Sequence, residues 1–294
     1  MHLVGVCSSY RITRTDVVRS LGSAEPALTP RTPRATIAGM STSAPPAQPV
    51  DLQELCERGS IELMATHYWE AERLLARAER LAWEAGDFDT LSRLYMPLQE
   101  ARRQRRQRCG EGVVALDLVP EGPADRVEPA HVITNYPQGQ LLVAGWGSIE
   151  PALEIRRLAE SNGLYVETFL AAAYPIGAGR AVVIVPTEDV LLPATTESMS
   201  IDELLTKVPP QSIVLSEAEL PSGVRKGDTS TFAEVMAMWE SLHSPFLALA
   251  DSAGEPIAKM DGYRRTTRVD YACELAHQKL SDVARKLDAA KRTK

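Results

Sequence analysis

The sequence predicts a mixed α+β fold, in which a central α/β sheet domain is flanked by amphipathic helical hairpins on its N- and C-terminal sides. Three observations predict it. Short apolar runs bounded by turn residues cluster between residues 113 and 215, as buried strands do. Apolar residues at three-and-four spacing dominate residues 61–98 and 232–287, the pattern of helices that bury one face. Ahead of both, Pro26, Pro30, Pro33, Pro45, Pro46 and Pro49 interrupt a stretch rich in Ser, Thr and Ala. The expected organisation is a disordered segment over residues 1–50, a helical hairpin over 51–109, a sheet domain over 110–220 and a helical region over 221–294.

The first segment has too little apolar surface to offset the entropy of ordering. Within residues 1–39, Arg11, Arg14, Arg19, Arg31 and Arg34 face only Asp16 and Glu25, the composition of an organelle leader. The simpler expectation is that translation starts at Met40.

From Asp51 the pattern is helical. Ile61, Met64, Tyr68, Ala71, Leu75, Ala78, Ala82 and Ala85 form one stripe, read as a single helix stopped by Gly86. Asp87 can cap a second helix that buries Phe88, Leu91, Leu94, Tyr95 and Leu98, with Pro97 kinking it. The two-residue link makes the pair antiparallel. Gly86, Asp87 and Phe88, followed by Leu91, Tyr95 and Leu98, stand where a tetratricopeptide repeat has its Gly-Asp-aromatic turn and second-helix packing residues. Residues 72–103 therefore resemble one such repeat. Ala78, Glu79 and Ala82 depart from the larger residue, glycine and aromatic of that family, and Arg103 from its closing proline. An echo at Gly254, Tyr263 and Asp270 spans residues 247–273. The resemblance implies helix pairs that present a groove to a protein partner, although a stable array is expected to need at least ~3 repeats.

In the sheet domain, strands are expected at 113–119, 131–136 and 141–144, the last two forming a hairpin across Pro137 and Gly139. Gly145, Trp146, Gly147 and Ser148 then turn into a helix beginning at Ser148 and stopped by Asn162 and Gly163. Strands at 164–174 and 180–185 pair as a hairpin around Gly177 and Gly179. Ser200 and Glu203 have capping-box spacing before a short helix ended by Pro209 and Pro210, and 212–215 closes the domain. From residue 141 onward the order is β-α-β-β-α-β, which fits a ferredoxin-like split unit or another mixed sheet. C-terminal to it, Thr231 and Glu234 suggest a capping box for a helix burying Phe232, Val235, Met236, Trp239 and Leu242. Further helices are expected at 245–252, 256–267 and from 269 onward, the last burying Ala272, Leu275, Ala276, Leu280, Val283, Ala284 and Leu287.

The whole-chain figures narrow the function classes. A formal charge of −7 over 294 residues argues against wholesale binding of nucleic acid or an acidic membrane. No apolar run approaches the ~18 residues of a spanning helix. Cys7, Cys56, Cys109 and Cys273 are scattered, so neither a disulfide framework nor a metal site is expected, and the cytoplasm is the expected compartment. No cofactor is expected.

Candidate sites are few. Gly145, Gly147 and Ser148, between strand and helix, could cradle an anion or nucleotide, although Glu150 replaces the third glycine of a dinucleotide fingerprint. Arg102, Arg103, Arg105, Arg106 and Arg108 close a helix. They read either as a solvated helix end or as a patch for RNA or another anion. Arg180 at a hairpin tip could meet an anion, Cys273 and His277 share a helix face, and Glu188 and Asp189 adjoin a strand end. Trp69, Trp83 and Trp239 read as packing anchors. Because no catalytic motif is present, the leading expectation is a non-catalytic protein-interaction or scaffold module. A small-molecule or nucleotide-binding regulatory domain using residues 145–148 is the second reading, and an RNA-binding accessory factor the third.

Overall fold

A computed structural model describes residues 51–177, 179–194 and 197–293. The expectations of disorder, a leader and a start at Met40 concern residues outside this set. Asp51 accepts a bond from Gln53 N and opens α1 (Leu52–Met64). The apolar stripe then breaks: Thr66 takes a left-handed φ of 64°, and the chain restarts as α2 (Tyr68–Ala85). The expected single helix is thus two. Ile61 and Met64 keep the phase of α2 but lie exposed, while α1 buries Leu55 and Gly59 instead. A Cβ at Gly59 would stand 2.7 Å from Leu75, so glycine permits this close approach.

Gly86, at φ 61°, ends α2, and Asp87 caps α3 (Phe88–Gly110) by accepting from Thr90 N. The antiparallel pair forms as expected, with α3 continuing through Pro97. Next come β1 (Val113–Leu118), α4 (Pro129–Asn135), β2 (Gln138–Trp146), α5 (Glu150–Ser161), β3 (Tyr165–Ile176), β4 (Gly179–Val185), α6 (Ile201–Lys207), β5 (Ile213–Ser216), a 3-10 turn, and β6 (Val224–Lys226). The strand expected at 131–136 is instead helix α4. Pro129 occupies its first turn and the Glu128 carbonyl accepts from His131 and Val132 N, a start for which proline is pre-organised.

The sheet order is β5-β4-β3-β2-β1-β6. β1, β2 and β3 are parallel, and antiparallel pairing carries the sheet outward to both edges. The β-α-β-β-α-β element order from β2 to β5 is present, but it is not a split plait. β2 and β3 pair directly, from Gln138 opposite Tyr165 to Trp146 opposite Ala173, with no strand between them. Their sequences explain the central position, since apolar residues on both faces need cover on both faces. Leu141, Val143, Leu170 and Ala172 face α4, α5 and α6, whereas Leu142, Ala144, Phe169 and Ala171 face α7.

α7 (Thr229–Ser252), α8 (Pro256–Val269) and α9 (Glu274–Arg292) complete the chain. Asp228, not Thr231, caps α7, accepting from Ser230 and Thr231 N, while Glu234 is held by Arg225. The break expected at Pro245 does not occur. α7 belongs to two cores at once, placing Val235, Trp239 and Leu242 on the sheet and Ala250 among the helices, and that burial outweighs the one lost backbone bond. The remaining helices share the second core: Leu75, Leu91, Leu98, Met260, Tyr263, Leu280 and Ala284 join α2, α3, α8 and α9. The last helix begins at Glu274 rather than at 269, leaving residues 270–273 as a buried link. Among the described residues no helix is long and apolar enough to cross a membrane.

Candidate functional site

The C-terminal half of α3 runs from the helical core to the N-terminal ends of β2 and β3, and its arginines follow helical spacing. Arg102, Arg105 and Arg106 turn inward. Glu72 of α2 accepts from Arg102 Nε at 3.0 Å and also pairs with Arg105. Arg106 places Nε and Nη2 2.9 and 2.6 Å from Glu167 Oε1, and Nη1 2.8 Å from Asp270 Oδ1. Glu167 also accepts from Gln140, its neighbour in the β2/β3 register. Arg103 and Arg108 stay outside, paired with Glu100 and Glu111. The five arginines therefore form neither a single surface patch nor a solvated helix end.

The inward arginines stack on aromatic rings. The Arg105 guanidinium lies 4.0 Å from the Trp69 centroid and 4.1 Å from that of Tyr271. Arg106 lies 4.9 Å from both Tyr271 and Trp239, and Trp239 stacks on Phe169 at 4.3 Å. Each contact combines ring-face electrostatics with burial of the cation. Trp69 and Trp239 thus serve as packing anchors, but the surfaces they pack against are charged.

Beside this ladder opens a cleft of 390 Å³ between α2, α5, β3, the end of α8 and Tyr271. Five arginines line it (Arg73, Arg80, Arg105, Arg156 and Arg268) against Glu72, Glu160 and Glu167. Glu72 and Glu167 are already engaged as described, and Glu160 lies exposed. Arg156 donates only to a backbone carbonyl, Thr168 O, at 3.1 and 2.7 Å. Among the described residues no carboxylate stands within 4.0 Å of Arg80, Arg156 or Arg268. Burial pushes the Arg156 guanidinium down to about 10 despite the favourable field of Glu167. Three more donors lining the cleft, Trp69 Nε1, Trp239 Nε1 and Tyr271 OH, are buried and have no acceptor among the described residues. Buried donors normally find an acceptor in the protein, in water or in a bound molecule.

Of the residues singled out by sequence, Arg105, Trp69 and Trp239 line this cleft, and the glycine turn and Arg180 do not. At the β2–α5 turn, Gly145 N donates to Ser148 O at 2.9 Å, Gly147 N to Ala173 O at 2.9 Å, and Ser148 Oγ accepts from Glu150 N. Gly147 has φ 61°, and a Cβ at Gly145 would meet Ser148 O at 2.7 Å. These glycines make a self-satisfied turn with no amide array left for a phosphate. The hollow beside it carries Asp125, Glu128, Glu150 and Glu154 against Arg126. Arg180 is tied to Glu217 and to the Pro120 carbonyl. Glu188 and Asp189 line a neighbouring hollow with Arg156, Arg265 and Arg268. His277 is buried and neutral: burial and the Arg102 charge push its ring down to about 3, and it bridges Arg102 and the Cys273 carbonyl.

His243, Asp270 and Cys273 bring one potential ligand atom each within 4.8 Å of one another. The Arg106 guanidinium on Asp270 already supplies the positive charge there, and a metal cation would have to displace it. None of these groupings was visible in the sequence, because each assembles residues that lie far apart along the chain. The one available signal was the inward spacing of Arg102, Arg105 and Arg106 on α3. Compared with known protein families, curated proteins and solved structures, the chain matches none.

Proposed function

We propose that this chain is a binding module for a small molecule bearing an oxyanion, such as a phosphate or carboxylate, held in the cleft between α2, α5 and Tyr271. One observation carries the reading: Trp69, Trp239 and Tyr271 offer buried donors without acceptors where Arg156 offers a half-buried charge without a carboxylate. A multi-oxygen anion supplies both. The volume is at the small end of ligand pockets, which run from roughly 300 to 1,000 Å³. This moves the small-molecule reading from residues 145–148 to the cleft. Calorimetric titration of the full chain with inorganic phosphate, pyrophosphate and citrate tests it, and binding should be lost in Arg156→Gln. If none of the three binds, or if the variant binds equally well, the reading is wrong.

A second reading rests on the tetratricopeptide-like hairpin and its neighbour α1. Ile61 and Met64 are 57% and 78% exposed, and Ile61 borders a 440 Å³ groove with Cys56, Leu94 and Pro97. Exposed apolar side chains beside a helical groove suit a protein partner. Loss of a co-purifying partner on Ile61→Asp would support this reading, and unchanged recovery would remove it. The free thiols of Cys56, Cys109 and Cys273 favour a reducing cytoplasm.

A further inference from the structure

Asp270, Ala272 and Cys273 also border a second cavity, of 740 Å³, together with α3, α7 and the start of α9. His243, Asp270 and Cys273 line it together, with Phe232, Met236 and Leu275 as its apolar wall. Their arrangement is ordered. Asp270 is fully buried, fixed by Arg106 and by the Ala272 amide, and accepts from His243 Nδ1 at 2.7 Å. A ring nitrogen of His243 and the Cys273 thiol lie within 4.8 Å of one another. Cys273 in turn occupies the N-cap of α9, a 19-residue helix with no capping side chain. The N–H groups of Glu274 and Leu275 have no acceptor among the described residues, and both residues line the cavity.

A thiol beside an imidazole, an imidazole oriented by a carboxylate, and free amides at a helix N-terminus are the parts of a nucleophilic acyl-transfer site. We propose that Cys273 is a catalytic thiol, with His243 as its proton partner and Asp270 as the positioning carboxylate, that accepts an acyl group from an ester, thioester or amide entering this cavity. The thiolate attacks the carbonyl carbon and forms an S–C bond, while the developing oxyanion takes bonds from the Glu274 and Leu275 amides. Collapse breaks the bond to the leaving group, which departs with the proton of His243. Water then adds to the thioester, giving a proton back to His243, and the S–C bond breaks to release the carboxylic acid and restore the thiolate. The charge balance agrees: burial opposes protonation of His243, yet Asp270 and the thiol together raise its ring to about 10, so it holds a proton to give at neutral pH.

The test uses the full chain and 4-nitrophenyl acetate at neutral pH. Expected are a burst of 4-nitrophenolate approaching one per chain and, by peptide mass mapping, acetyl on Cys273. Cys109, whose thiol burial pushes well up, should stay unmodified. Cys273→Ser should abolish the burst. Alkylation of Cys273 by iodoacetamide should fall about tenfold in His243→Gln. Wild-type protein that carries no acetyl on Cys273 overturns the proposal whether or not the variants fold. So does a folded His243→Gln protein alkylated at the wild-type rate.

Discussion

Arg106 Nη1 stands 2.8 Å from Asp270 Oδ1, and the two side chains are 4% and 0% exposed. Nη1 is off line for a directed hydrogen bond, so the contact is an attraction of charges that ties the middle of the chain to the α8–α9 link. Removing one member strands the other in a low-dielectric interior. Arg106→Met is expected to lose about 3–5 kcal/mol in guanidinium chloride unfolding, and a loss below about 1 kcal/mol would show that the pair holds nothing in place.

Arg156 carries the opposite expectation. Its charge is half-buried without a carboxylate and desolvation drives its pKa down to about 10, so the ligand-free protein bears a desolvation cost. Arg156→Met should stabilise the free protein by about 1 kcal/mol while removing any phosphate-induced rise in Tm. Stability falling together with binding would mean that Arg156 is a structural residue.

Two histidines set opposite limbs of the pH profile. His277 is held neutral, its folded value of about 3 lying below the unfolded one of about 6.5. Its contribution is present above pH ~6.5 and is lost as pH falls toward 3. His243 is raised to about 10, so its contribution is complete below pH ~6.5 and is lost as pH rises toward 10. Urea midpoints between pH 4 and 9 should fall at both ends. His277→Gln should flatten the acid limb and His243→Gln the alkaline one, each by on the order of 1–3 kcal/mol.

Gly147→Ala should cost about 1–2 kcal/mol because the residue sits at φ 61°. Gly145→Ala should cost about 1–3 kcal/mol through the contact with Ser148 O. Neither should change the affinity for phosphate measured by calorimetry. A loss of affinity in either would return the ligand to the β2–α5 turn.

How much of this was legible in the sequence follows from the range of each interaction. The mixed α+β class, the turn at Gly145 to Ser148, the β3–β4 hairpin and the Gly86 stop all arise from residues within a few positions of one another, and the expected pattern formed. The break at Thr66 was hidden because Ile61 and Met64 stay in phase with α2. α4 was hidden because Val132 and Ile133 read as a strand until Pro129 is recognised as a helix start. The cleft and the thiol cluster could not be read at all. Arg102, Arg105 and Arg106 find their carboxylates 30, 33 and 61 residues away, and His243 finds Asp270 27 residues away. Helical spacing alone does not say whether a cation meets water or a buried acid.

The sheet ends on its two shortest strands, β5 with four residues and β6 with three. Long flat edges offer unpaired backbone groups to other chains and seed fibrils. Here one edge is cut off by the 3-10 turn at Glu217–Glu219, and the other carries Arg225 and Lys226. The long strands β2 and β3, apolar from Leu141 to Ala144 and from Phe169 to Ala173, are paired on both sides, so a neighbouring molecule cannot reach their backbone groups without opening the sheet.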